Sequence, residues 1–405
     1  MPFLFSLLVI ALMIGALIDI ITRDDSQVKH LPKMVWIIIV ILLPLIGSAL
    51  WFALGREYGE GGVPLPRMRR AERPAAPTTT PPSGVACQDA VMSILVNVDN
   101  FALAETHRMM RDLQKEAGGV DRFLHNRAPA AIDRQTVIRL NRDTLYSFAV
   151  LDISEGATFR IPEHGDRYLS AMVVNEHHYV DAIFHEAGEH TLTEAQFGTP
   201  YVVLAVRILV DPADPADVAE VGALQDRIAL HSGSATPFAM PDYDTVSLDE
   251  TRQALLALAR NLRGFDRMFG SEDEVDPVRH LIGTAAGWGG LPSSEASYIG
   301  VDPRLPVGRY ELTVDEVPVD GFWSISVYNA DGFFEPNDRE AYTINDITGV
   351  RNDDGTITVR FGDHPEGVPN VLPITEGWNY LVRLYRPRPE VLDGSWTFPT
   401  LRESA

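Results

Sequence analysis

The chain has 405 residues, 45% of them hydrophobic and 22% charged, with a formal net charge of −22 at pH 7. Such a composition belongs to a folded protein, and the acidic balance excludes a nucleic-acid-binding or anionic-lipid-binding role for its general surface. Cys87 is the only cysteine, which excludes an internal disulfide and a thiolate metal cluster.

Two apolar runs, residues 2–21 and 35–54, stand on either side of a polar bridge, residues 22–34. Each is close to the roughly 20 residues that cross a ~30 Å hydrocarbon core as a helix. No charged segment precedes the first run and no A-x-A site follows it, so a cleaved signal peptide fits poorly. The expectation is a two-helix transmembrane hairpin over residues 1–55, contacting the lipid bilayer through residues 2–54 and holding the protein at the plasma membrane as a multi-pass protein. Trp36 and Trp51 lie near the ends of the second run, where amphipathic rings favour the interface. The bridge carries Arg23, Lys29 and Lys33, and the stretch after the second run carries Arg56, Arg67, Arg69, Arg70 and Arg73. By that small margin the positive-inside rule favours a cytoplasmic body.

Residues 56–83 turn to Gly, Pro, Arg and Thr, a composition that cannot bury enough surface to offset ordering entropy, and they read as a linker. Residues 1–75 carry a net +2, which leaves −24 on the rest. Beyond the linker, apolar spacing predicts a helix over 97–117, stopped by Gly118-Gly119. Runs rich in Val, Ile, Tyr and Phe then predict strands at 136–140, 145–153, 168–174 and 201–210. Helical periods follow at 216–231 and 248–269, the second opened by Ser247 and Glu250 in capping-box spacing. Strands return at 323–328, at 356–361 after the turn Asn352-Asp353-Asp354-Gly355, and at 380–385.

The fold class expected is therefore a transmembrane hairpin followed by an α+β, mainly-β body. That body comprises two antiparallel β-sandwich or jelly-roll-like units with intervening helices. The expected divisions are 1–55 hairpin, 56–83 linker, 84–212 first β-rich domain with its leading helix, 213–290 helical connector and 291–405 C-terminal jelly-roll-like domain.

Particular motifs within these segments resemble known families. Ala16-Leu17-Ile18-Asp19-Ile20-Ile21, Val28-Lys29-His30-Leu31-Pro32-Lys33, Leu43-Pro44-Leu45-Ile46-Gly47 and Gly55-Arg56 resemble the two-helix N-terminal module of cardiolipin synthases and other phospholipase-D-type proteins. No H-x-K-x4-D arrangement is present, so the resemblance implies the anchor and not the phosphatidyl-transfer activity. The run from Val137 to Ser147, Asp166-Arg167-Tyr168 and Val210-Asp211-Pro212 resemble the bacterial domain of unknown function 1254. Pro318 to Ser324, Asn352 to Gly355, Leu384-Tyr385-Arg386-Pro387, Trp396 and Pro399 resemble its usual companion, domain 1214. The resemblance implies a two-part β-sandwich architecture and no settled activity. Such proteins often carry an export signal, which favours the outside where the basic residues favour the inside.

Three constellations carry possible chemistry. The first is Asn141-Arg142-Asp143-Thr144 with Tyr146 and Arg167, in which Asp143 is a candidate general base and Arg142 or Arg167 a carboxylate or oxyanion clamp. Its plain alternative is an Arg-Asp pair that satisfies a turn. In the second, imidazoles and carboxylates crowd residues 175–190, with His177, His178 and His185 the candidate metal ligands. No H-E-x-x-H spacing is present, and in a strand His177 and His178 point to opposite faces. The third, Trp323, Tyr328, Asn329, Arg383 and Tyr385 together with Asn141, suits a mouth that stacks on a sugar or aromatic ligand, although aromatic strand residues are more often core. No nucleophile elbow, P-loop, S-x-x-K pair or dinucleotide fingerprint occurs, and the sequence identifies no cofactor and no oligomeric state. The reading is a membrane-anchored module binding a small or saccharide-like ligand in its β body. The alternative is a membrane-tethered hydrolase or metal-assisted enzyme using the 141–146 motif or the 177–190 histidines.

Overall fold

The computed structural model describes residues 93–404 except 136, 137, 261 and 263, together with eight single positions before residue 52. It divides into two compact units, residues 1–88 and 89–405. In the first unit the Trp51 indole donates to the Asp19 carboxylate at 3.0 Å, and the Trp36 and Trp51 rings meet edge-on. The expected membrane hairpin and linker fall mostly outside the described residues. Among those described, no helix is long and apolar enough to cross a membrane.

The second unit is mainly β, with several sheets and few helices. It opens with α1 (Phe101–Ala117), β1 (Leu124–His125), β2 (Thr144–Asp152), β3 (Ala157–Ile161), β4 (Leu169–Asn175) and β5 (Val180–Phe184). There follow β6 (Gly188–Leu192), α2 (Glu194–Phe197), β7 (Tyr201–Leu209), α3 (Pro215–Gln225), β8 (Ala229–Ser232), α4 (Thr245–Ala259) and α5 (Pro277–Gly287). The last stretch holds β9 (Ala296–Val301), β10 (Tyr310–Val314), β11 (Trp323–Tyr328), β12 (Thr343–Asn345), β13 (Ile357–Phe361), β14 (Val371–Leu372), β15 (Asn379–Tyr385), α6 (Pro389–Leu392) and β16 (Arg402–Glu403).

The sheets stack in pairs. The sheets β1-β2-β7-β4-β5 and β6-β3-β8 share one core, in which Leu145, Leu169 and Leu204 meet Phe159, Ile161 and Leu192. The sheets β14-β13-β10-β16 and β12-β11-β15-β9 share another, in which Leu312 and Val359 meet Ile325, Val382 and Leu384. Because strand residues alternate between faces, Val203 and Ala205 of β7 and Met172 of β4 point away from the first core. They pack with Met110 of α1, Phe322 and Tyr385. The sheets containing β7 and β15 thus meet across a seam, which buries β7 on both faces and accounts for its almost unbroken apolar run.

Local chemistry sets the helix ends. Asp214, Asp244 and Asp276 cap α3, α4 and α5 with their carboxylates, and Pro215 and Pro277 occupy first-turn positions where no N–H is needed. Gly118 ends α1 in the left-handed region, φ 79°, with the Gly119 N–H reaching back to the Gln114 carbonyl.

Three sequence expectations change. The helix expected over 216–231 ends at Gln225, because residues 229–232 pair with β3 and tertiary pairing overrides the helical period. The helix expected over 248–269 runs from Thr245 to Ala259, capped by Asp244 rather than opened by a Ser247–Glu250 box. In the strand expected at 136–140, the first two residues lie outside the described residues and the rest form a turn with Arg139 at φ 55°.

Candidate ligand site in the seam between the sheets

Strand register places two polar rows in the seam. Tyr146, Arg207 and Ser170 are cross-strand partners on β2, β7 and β4, and Ser324, Arg383 and Tyr298 are partners on β11, β15 and β9. Both rows occupy the faces turned away from the two cores, so their polar atoms sit where the sheets meet.

Asn141, just before β2, joins the rows. Its Nδ2 lies 2.9 Å from the Tyr385 hydroxyl, 3.3 Å from that of Tyr146 and 3.2 Å from Thr144 Oγ1. Its Oδ1 accepts from the Asp143 N–H, an Asx turn that sets the side chain's direction. Burial pushes the Tyr146 phenol up. Arg207, whose guanidinium sits 5.4 Å from that ring, and hydrogen bonds from Thr144 and Asn141 outweigh burial and bring the phenol below its usual range. Tyr385 has no such excess of help, and burial among other tyrosines holds its phenol well above the usual value. The same desolvation raises Tyr168 and Tyr298.

Arg383 lies buried behind this group and donates to Ser326 Oγ, Tyr328 Oη and the carbonyls of Arg139 and Leu140. Tyr328 also donates to the Leu140 carbonyl at 2.8 Å. The turn at 139–140 is thereby clamped to the second pair of sheets. Asp143 is fully buried beside it, with Oδ1 accepting from Thr343 Oγ1 at 2.7 Å and Asn345 Nδ2 at 3.1 Å, while Oδ2 has no hydrogen-bond partner. Arg142 donates to the Ala130 carbonyl and lies over the Tyr342 ring at 5.2 Å. Nearby, burial and then the Asp143 charge push Asp346 up to about 6, against hydrogen bonding and Arg351. A shallow pocket beside this corner is lined by Tyr328, Asn329, Glu335, Asn337, Tyr342 and Thr375.

The structure therefore gathers Asn141, Tyr146, Tyr328, Arg383 and Tyr385 into one region, with Asp143 and Arg142 at its edge. Arg167 is elsewhere: its guanidinium forms a two-pronged pair with Asp217 and also reaches the Leu209 carbonyl, which ties α3 to the sheet. Trp323 points the other way, into the core of the second sheet pair.

The three histidines do not converge, and among the described residues no group of three His, Cys, Asp or Glu side chains is placed to hold a metal ion. His177 is exposed. His185 lies 2.8 Å from both the Leu169 carbonyl and Glu295 Oε2. His178 is wholly buried at φ 67°, and both of its nitrogens are engaged. Thr284 gives its hydroxyl proton to the His280 carbonyl, so it must accept from His178 Nδ1–H at 2.8 Å, and Nε2 then accepts the Gly289 N–H at 2.9 Å. That network assigns a neutral imidazole with no lone pair left for an ion.

The sequence reading passed over Arg207, Ser170 and Tyr298. Arg207 did carry a signal, as the one charge in the apolar run Tyr201–Leu209. Ser170 and Tyr298 carried none, since their place depends on register. The reading also missed a buried relay in which His107 lies 2.7 Å from Glu176 Oε2 and 3.1 Å from the Tyr243 hydroxyl.

The fold and site define a mainly-β protein of paired sheets with a polar seam, and comparison with known proteins finds similarity over three segments of the chain. Residues 11–56 match the phospholipase D-nuclease N-terminal family, residues 120–189 match the protein of unknown function DUF1254, and residues 305–389 match DUF1214. Three separate segments of the chain are thus similar to these families, in that order along the sequence: the phospholipase D-nuclease N-terminal segment, then DUF1254, then DUF1214. Among solved structures, the VPA0106 protein from Vibrio parahaemolyticus is 17% identical, with a TM-score of 0.59 over 76% of this chain and 98% of that one. That likeness concerns the fold alone. An uncharacterized protein from Burkholderia cenocepacia is 13% identical over 76% of this chain and 87% of that one, with a TM-score of 0.43. Among curated proteins none matches the chain.

Proposed function

We propose that the protein is a membrane-tethered binding module that takes a small ligand into the seam between its two sheet pairs, each pair read as a β-sandwich. One observation carries this: the Ser324 hydroxyl is buried there with no hydrogen-bond partner, and the buried hydroxyls of Tyr168 and Ser170 have no well-formed bond beyond their mutual approach. An unsatisfied buried donor costs about 1–3 kcal/mol, and a polar ligand that accepts from it removes that cost. Asn141, Tyr146 and Tyr385 would orient the ligand, and the aromatic residues would supply apolar walls. The N-terminal segment supports tethering to the plasma membrane through the apolar runs, with the basic flank favouring a cytoplasmic body.

The test is thermal unfolding of the full chain against panels of neutral saccharides, small organic acids, amines and esters. A panel that raises Tm for the wild type and much less for Tyr385→Phe supports the reading. An ester hydrolysed by the wild type and spared by Tyr146→Phe would favour a tethered hydrolase instead. Failure of every panel to shift Tm would overturn the seam as a ligand site.

A further inference from the structure

Arg207 is the most unusual charge in the described residues. It is 6% exposed near the C-terminal end of β7, and no carboxylate lies within ion-pair distance of it among the described residues. Its hydrogen bonds go to the Gly289 carbonyl at 2.6 Å and to Met172 Sδ at 3.9 Å. A guanidinium has five N–H groups, so most of its donor capacity is unused. The face of the Tyr146 ring, 5.4 Å away, and the surrounding phenols offset part of the cost of burying this charge, and a ligand of opposite sign would meet the donors that remain.

The surroundings add donors and no acceptor of matching charge. Ser170 stands beside Arg207 in the cross-strand row, and Tyr168 lies two residues earlier, toward the same face; both hydroxyls are buried, near each other, and neither makes a well-formed hydrogen bond. Tyr146 and Tyr298 lie deep in the seam yet keep part of their surface accessible, as does Phe148. Part of each is therefore reachable, while Phe148 and Tyr298 pack against the apolar cluster of the seam and Tyr146 stacks on Phe148. Met172, Phe148 and the stacked pair Phe322–Tyr385, 4.2 Å between centroids, provide an apolar wall.

The geometry points to a binding site for a small organic monocarboxylate, with the carboxylate on Arg207, the Tyr168 and Ser170 hydroxyls donating to it, and the apolar body against Phe148 and Met172. This rests on the reading of the seam as a ligand site and specifies its ligand. A single charge fits better than a phosphate dianion because the other buried arginine, Arg383, is already held by two carbonyls and two hydroxyls. The net charge of −22 also repels multiply charged anions on approach.

The experiment is calorimetric titration of the purified full chain with benzoate and octanoate, with benzamide and octanamide as neutral counterparts, and with inorganic phosphate. At least one carboxylate should bind about tenfold or more tightly than its amide, since a charged hydrogen-bond pair is roughly twice as strong as a neutral one. Arg207→Met should abolish that preference, and Tyr168→Phe should weaken carboxylate binding several-fold. If Arg207→Met does not fold, the carboxylate-to-amide ratio in the wild type and in Tyr168→Phe reads the same question. Equal binding of acid and amide would overturn the carboxylate assignment and leave the seam as a ligand site. Phosphate binding in preference to both carboxylates would overturn it in favour of a phosphate site. Absence of binding by every probe would overturn this proposal, and the ligand-panel result decides separately whether the seam binds anything.

Discussion

His178 holds Arg207 in place through one residue, Gly289. The Gly289 N–H donates to His178 Nε2 at 2.9 Å, and the Gly289 carbonyl accepts from Arg207 at 2.6 Å. The imidazole also stacks on Trp288, at 5.4 Å between centroids. A histidine that resembles a metal ligand in the sequence thus serves, in the fold, to position the guanidinium of the seam.

Replacing that histidine should therefore be costly. His178→Ala leaves the Gly289 N–H without its acceptor, removes the donor to Thr284 and opens a cavity beside Trp288. The expected loss is about 3 kcal/mol of unfolding free energy. Denaturant unfolding of the variant measures it, and a loss under about 1 kcal/mol would mean that Gly289 is held by other means.

Acid should destabilise the body through its buried histidines. Burial is the leading cause that depresses His178 and His280 in the folded state, while the unfolded chain titrates near 6.5. As pH falls below 6.5 the unfolded chain takes up protons that the folded chain refuses. Stability should then drop by up to about 1.4 kcal/mol per pH unit for each histidine until its folded pKa is reached. Unfolding curves between pH 8 and 5 test this, and a flat profile would contradict it.

Asp346 acts with the opposite sign. Its folded pKa of about 6 lies above the ordinary 3.8, so the folded chain binds the extra proton between those values and gains stability as pH falls through that window. Asp346→Asn should stabilise the protein at pH 7.5, on the order of 1 kcal/mol, and should steepen the acid loss below pH 6. A variant less stable than wild type at pH 7.5 would show that the carboxylate has a partner role.

Tyr146 should titrate ahead of the other tyrosines. Difference absorbance at 295 nm on the folded chain, which has 12 tyrosines, should show one phenol ionising below the usual range. Arg207→Met should move that step upward, because burial then acts on Tyr146 with less opposition. An unchanged first step would remove Arg207 as its cause.

Much of the body was legible in the chain itself. Runs of β-branched and aromatic residues marked β2, β4, β7, β11, β13 and β15 to within a residue or two, because enrichment in such residues is a local signal even where a strand is buried on both faces. Gly118 marked the end of α1, since its left-handed backbone favours glycine. The 141–146 motif, Arg383 and Tyr385 were visible as polar and aromatic groups in otherwise apolar strands. Tertiary structure decided what those groups face. Residues 229–232 became a strand because an edge of β3 was there to pair with, and Arg207, Ser170 and Tyr298 became neighbours of Tyr146 and Arg383 only once register and sheet stacking set them in opposing rows. The histidines at 177, 178 and 185 were separated for the same reason: a hydrogen-bond partner more than 100 residues away, Thr284 for His178 and Glu295 for His185, cannot be read from local spacing.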